Sequence, residues 1–145
     1  MKYLYTLLIL LFLPLAVSAQ KSRAEMGREI QEFKLKFLAQ EMELKPDPQA
    51  KFVEVYTRMS NEKRKAFEAA IALEKRGKQH KNATAEEFQQ ASDAMAKAKI
   101  AEGKIDQKYD AEFKKFLTPK QIYQMKEAEQ QFRAKMKELR HKKKR

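Results

Sequence analysis

Six consecutive residues, Leu117-Thr118-Pro119-Lys120-Gln121-Ile122, spell out the start of a helix. Thr118 at the N-cap can accept a bond from the free amide of Gln121, and the Gln121 side chain can reach back to the Thr118 amide, which makes a capping box. Pro119 then falls at the first helical position, where a missing N–H costs nothing and a fixed φ helps. Leu117 and Ile122 flank the cap with the spacing of a hydrophobic staple. One helix must therefore end before Leu117 and another begin after it. The motif sets a corner and, by itself, no chemistry.

The rest of the chain suits helices. Among 145 residues there are only three Gly and four Pro, too few for a many-turned β architecture, and the length is that of one domain. No Cys is present, so neither disulfides nor thiolate metal sites can form. His80 and His141 are too few for a dedicated zinc site without other ligands. There is no Gly-rich phosphate loop, no Ser-His-Asp spacing and no HExxH. The pattern calls for no enzyme activity, no cofactor and no metal. The net charge of +12 predicts attraction to anionic partners.

The first residues narrow that choice. Lys2 precedes an apolar run over 4–17, and Val17-Ser18-Ala19 offers a small-residue cleavage site with Gln20 starting the mature chain. Residues 1–19 thus read as a secretory signal peptide. The apolar run is short of the ~20 residues a membrane span needs, and Pro14 interrupts it. An exported chain does not meet genomic DNA, so nucleic acid is not expected as a partner.

Residues 20–139 read as an all-helical domain. A first helix spans 22–43, with Met26, Ile30, Phe33, Phe37 and Met42 near one stripe. Leu44-Lys45-Pro46-Asp47-Pro48-Gln49 forms the first corner, with Asp47 as the expected cap and Pro48 at the first helical position. The second helix carries Phe52, Tyr56, Met59, Phe67, Ala70 and Ile71, has a weak point at Ser60-Asn61, and stops near Gly77. Thr84 caps a third helix, with Glu87 completing a second capping box, and that helix runs to Phe116 or Leu117. Phe88, Met95, Glu102, Tyr109 and Phe116 recur every seven residues, beside Ala91, Ala98, Ile105 and Glu112. This is a coiled-coil-like seam, with Gly103 as a bend point. The fourth helix, from Pro119, aligns Ile122, Met125, Phe132, Met136 and Leu139, and residues 140–145 form a basic tail. Asn82-Ala83-Thr84 matches a glycosylation sequon and reads as loop.

Leu117-Thr118-Pro119-Lys120-Gln121 matches the LTxxQ motif, and the chain resembles the Spy/CpxP family of periplasmic chaperones and stress adaptors. Leu44 and Pro46 stand where a worn first copy of the motif would place them, with Lys45 in place of the Thr. The run Glu127-Ala128-Glu129-Gln130-Gln131-Phe132-Arg133 is also similar. The resemblance implies an all-α bent helical hairpin, paired into a thin, curved homodimer with a basic concave face. It implies ATP-independent holding of unfolded or aggregation-prone clients in the periplasm. The alternative it implies is a regulatory adaptor that touches an envelope-stress or metal-response sensor. Client-binding candidates are Phe52, Tyr56, Met59 and Met125, as adaptable apolar contacts, with Arg133 and Lys137 as cations. Weak contact with an anionic membrane surface is a further expectation, drawn from the basic tail.

Overall fold

The computed structural model describes residues 22–79 and 82–142. The predicted signal peptide and the final residues 143–145 of the basic tail lie outside them. Four helices make up the described chain: α1 (Arg23–Glu41), α2 (Pro46–Gln79), α3 (Ala85–Phe113) and α4 (Pro119–Lys142), and no strand occurs among the described residues. The fold is an all-α helical hairpin. None of these helices is long and apolar enough to cross a membrane.

The chain divides into two units, Met1–Phe33 and Lys34–Arg145, so α1 belongs to both. In the first unit α1 opens on a capping box that the sequence reading did not single out. The Ser22 amide donates to Glu25 Oε2 at 2.8 Å, and the Glu25 amide donates to Ser22 Oγ at 3.2 Å. The described side chains of this unit are exposed or half-buried.

In the second unit α1 ends differently from expectation. Helical geometry stops at Glu41, and Glu43 takes φ 51°, the left-handed region. Glu43 N–H donates to Gln40 O at 3.0 Å, and Leu44 N–H donates to Ala39 O at 3.0 Å. This is the Schellman closure, normally given to Gly. The α2 start also differs. Pro46, not Pro48, is the first helical residue, and Gln49 N–H donates to Lys45 O at 2.9 Å. Asp47 is therefore inside the first turn and is not the cap. Both prolines fit because first-turn amides have no intrahelical acceptor to lose.

Gly77 does not end α2, which runs unbroken through Ser60-Asn61 and on to Gln79. No described Gly has positive φ. At Gly77 an added Cβ would stand 3.5 Å from the Phe88 ring, so this position is contact with α3 and not a cap. α3 starts as expected, with the Thr84–Glu87 capping box complete. It ends earlier than expected, at Phe113, where Lys115 N–H and Phe116 N–H tighten onto Glu112 O at 3.2 Å and Phe113 O at 3.1 Å, three residues back instead of four.

α2 and α3 pack antiparallel. Arg58 reaches Glu112 at 2.9 Å, Lys108 reaches Glu62 at 2.7 Å, and Lys63 reaches Asp106 at 2.5 Å, while Gly77 lies under Phe88. Tyr109 and Ala98 of the seven-residue row are buried. The row is thus the face α3 turns to α2, thinned by alanine. The remaining core joins Leu35, Phe37 and Leu38 of α1, and Met42 just past its end, to Phe52, Val55, Tyr56 and Met59 of α2, Phe113 of α3, and Ile122, Met125, Ala128 and Phe132 of α4. Ring pairs tie these together: Phe52–Tyr56 at 5.3 Å, Phe52–Phe113 at 6.0 Å and Phe37–Phe132 at 6.1 Å between centroids. Each fully buried large side chain contributes about 1.5–3 kcal/mol.

Candidate interaction surface

The second corner forms as its residues dictate. Gln121 N–H donates to Thr118 Oγ1 at 3.2 Å, and Thr118 N–H donates to Gln121 Oε1 at 3.0 Å. Pro119 opens α4, and Leu117 and Ile122 are both buried on either side of the cap. Gln121 then does something no local rule foretold. Its Nε2 donates to the Met42 carbonyl at 3.5 Å, at the exposed-carbonyl end of α1. The second corner is thus tied to Met42, two residues before Leu44.

About two turns further along α4 lies a half-buried polar cluster. The Tyr56 hydroxyl donates to Glu129 Oε1. Lys34 Nζ stands 3.8 Å from the same carboxylate, and 5.0 Å and 6.0 Å from the centroids of the Tyr56 and Phe132 rings. Burial pushes the Tyr56 hydroxyl far above its usual range, and Glu129 pushes it further. Burial pulls the Lys34 ammonium below its usual range, against the opposing effect of Glu129. Burial is the leading cause of both shifts; the Glu129 charge adds to the first and opposes the second. Glu129 is separated from Tyr56 by 73 residues, so no sequence spacing announces the pair.

The apolar client-binding candidates require correction. Phe52, Tyr56, Met59 and Met125 are 0, 1, 5 and 3 % exposed: they are core. A stripe at helical spacing packs as readily against its own chain as against a client, and here α1, α3 and α4 close over it. Arg133 and Lys137 are exposed. The large apolar side chains that do face solvent in this unit are Ile71, Phe88, Ile100 and Tyr123, spread over three helices.

Between α2, α3 and α4 runs a cleft of about 420 Å³. Met59, Phe113 and Met125 line it among charged groups. On the α3 side stand Glu102, Asp106 and Asp110, and on the α4 side Lys126, Glu129, Gln130 and Arg133. Lys126 bridges to Asp110 at 3.1 Å, and Lys63 from α2 lies between Asp106 and Glu102 at 2.5 and 3.8 Å. Hydrogen bonds from Lys114 and Lys126 hold Asp110 below the usual carboxylate range.

The chain matches no protein-family model, no curated protein and no solved structure. Among the described residues no group of His and carboxylates is arranged to hold a metal ion. What the arrangement can do is present charge to another macromolecule.

Proposed function

We propose that this chain is an exported, ATP-independent holdase of the Spy/CpxP-like type, acting on unfolded or aggregation-prone proteins. The observation that carries the reading is the corner at Thr118 and Gln121. The residues on which the resemblance rests are the residues that cap α4 and tie it to the end of α1. The all-α hairpin and the charge of +12 support it as well. From Pro119 to Arg145 there are ten Lys and Arg against three Glu, which favours rapid capture of acidic, unfolded chains. Pairing of two copies into a homodimer belongs to the same reading, and would cover Ile71, Phe88 or Ile100. The site of action is the periplasm.

Burial of Phe52, Tyr56, Met59 and Met125 favours a second reading. A chain with little open apolar surface suits a regulatory adaptor that docks by charge onto a folded sensor domain. An aggregation-suppression assay with a reduced, unfolding client separates the two. The holdase reading expects light scattering to fall as the chain approaches equimolar amounts. Unchanged scattering, together with saturable binding to a folded sensor domain, would transfer the function to the adaptor.

A further inference from the structure

We propose that the edge of the α2–α3 hairpin opposite α4 docks on an anionic phospholipid surface. Lys65, Arg76, Lys97 and Lys104 would meet the headgroups, and Ile100 would enter the boundary with the acyl chains. The inference rests on the exported reading only in placing the chain beside a membrane.

Two ion pairs mark this edge. Arg58 of α2 reaches Glu112 of α3 at 2.9 Å, and Lys108 of α3 reaches Glu62 of α2 at 2.7 Å. Lys65 and Arg76 follow Arg58 by about two and five helical turns, so they share its face. Lys104 and Lys97 precede Lys108 by about one and three turns, so they share its face in the same way. α4 lies across the hairpin. Lys126 meets α3 at Asp110, which is two residues from Lys108 and so on the far side of that helix.

The charge on this edge is not neutralised from within. Lys65, Arg76, Lys97 and Lys104 are exposed, and among the described residues they make no hydrogen bond or ion pair. Glu62 and Glu112 are taken by the two pairs that mark the edge. Glu86 and Asp93, nearer the start of α3, accept from Gln90 and Gln89 at 3.4 and 2.9 Å. Ile100 stands between Lys97 and Lys104 and is 63 % exposed.

That pattern selects the occupant. A second copy of the chain would set cation against cation. Along α2 the two cations are about 16 Å apart, and along α3 about 10 Å apart. Cations fixed at such spacings suit a fluid sheet of headgroups, which can move to each of them. An apolar side chain among lysines on a helix face is the arrangement that settles into a membrane interface.

The full mature chain should float with vesicles of phosphatidylcholine and phosphatidylglycerol, and not with phosphatidylcholine alone. Lys97→Gln with Lys104→Gln should weaken partitioning about 25-fold, or about fivefold per cation. Lys120→Gln with Lys137→Gln removes the same charge from exposed positions on α4, and should weaken it less than about twofold at about 0.1 M salt. The substituted side chains make no bond that holds the fold, so circular dichroism should not change. Equal losses in the two double variants would overturn the proposal, because the general field of the chain would then explain the binding. Failure to float with the anionic vesicles would overturn it outright. Ile100→Ser should weaken vesicle partitioning about fivefold and leave binding to poly-glutamate unchanged. Unchanged vesicle partitioning in Ile100→Ser would overturn the membrane as occupant in favour of an acidic polypeptide. Loss of vesicle binding with client aggregation still suppressed would remove this surface alone and leave the holdase reading standing.

Discussion

The Gln121 side chain joins two helix ends at once: Nε2 donates to the Met42 carbonyl at 3.5 Å while Oε1 accepts from the Thr118 amide at 3.0 Å. One amide thus serves a free donor at the start of α4 and a free carbonyl at the end of α1. Gln121→Ala should cost about 1–2 kcal/mol in urea unfolding, the usual range for a lost cap plus one hydrogen bond. Gln121→Glu keeps the acceptor but loses the donor and sets a negative charge against the carbonyl end of α1. It should recover part of the capping energy and no more. Full stability in Gln121→Glu would show that the bond to Met42 contributes nothing.

Glu43 sits at φ 51°, where a side chain is strained and Gly is not. Glu43→Gly should therefore raise stability by about 1 kcal/mol, and Glu43→Ala should not. Equal thermal midpoints for the Gly and Ala variants would contradict the strain.

The Glu129 node makes an ordered prediction. Tyr56→Phe removes one bond to a carboxylate and should cost about 1.5–3 kcal/mol. Glu129→Ala should cost more, since it strands both the Tyr56 hydroxyl and the half-buried Lys34 ammonium. Calorimetry that ranks the two variants the other way would refute the node.

Alkaline pH should loosen the fold through its tyrosines. Burial and the hydrogen bond to Glu62 push Tyr109 from 10.0 up to about 12, and Tyr56 shifts in the same direction. The folded chain then keeps protons that the unfolded chain releases. This stabilisation is complete below pH 10 and is lost as pH climbs toward about 12. Lys34 has the opposite sign: its folded value lies below 10.5, so its contribution improves as pH rises toward 10.5 and is level above it. Above about pH 10.5 the tyrosine loss is therefore unopposed by Lys34. Tyr109→Phe should flatten the fall in denaturation midpoint above about pH 10, and an unchanged slope would count against this assignment.

Local features were readable in the residues. Thr84 with Glu87, and Thr118 with Gln121, cap as their spacing demands, because a capping box needs only four residues to be correct. Ser22 with Glu25 follows the same rule and could have been found by it. The failures at Asp47 and Gly77 have a different source. Each residue type fits a helix boundary, but Pro46 had already started α2, and Gly77 serves contact with Phe88. The facing of the Phe52–Tyr56–Met59 stripe could not be read at all. Its spacing fixes which residues share a side, whereas burial depends on α4, some seventy residues away. Glu129 shows the same limit, since its bond to Tyr56 spans 73 residues of chain.

Connectivity has a kinetic consequence. The α2–α3 hairpin closes over a short connection, whereas Gln121 and Met42 are separated by 79 residues. Closing the longer loop sacrifices more chain entropy before any contact rewards it. The hairpin is therefore expected to be formed at the folding barrier, with the corner fastened on the downhill side. Substitution at Gln121 should steepen escape from the native state, raising the unfolding rate and leaving the refolding rate nearly untouched. Stopped-flow rates that slow in refolding would place the corner in the nucleus instead. Under the expected order, the LTxxQ segment acts as a latch on lifetime: it sets how long the folded chain persists and has little influence on how quickly the chain arrives there.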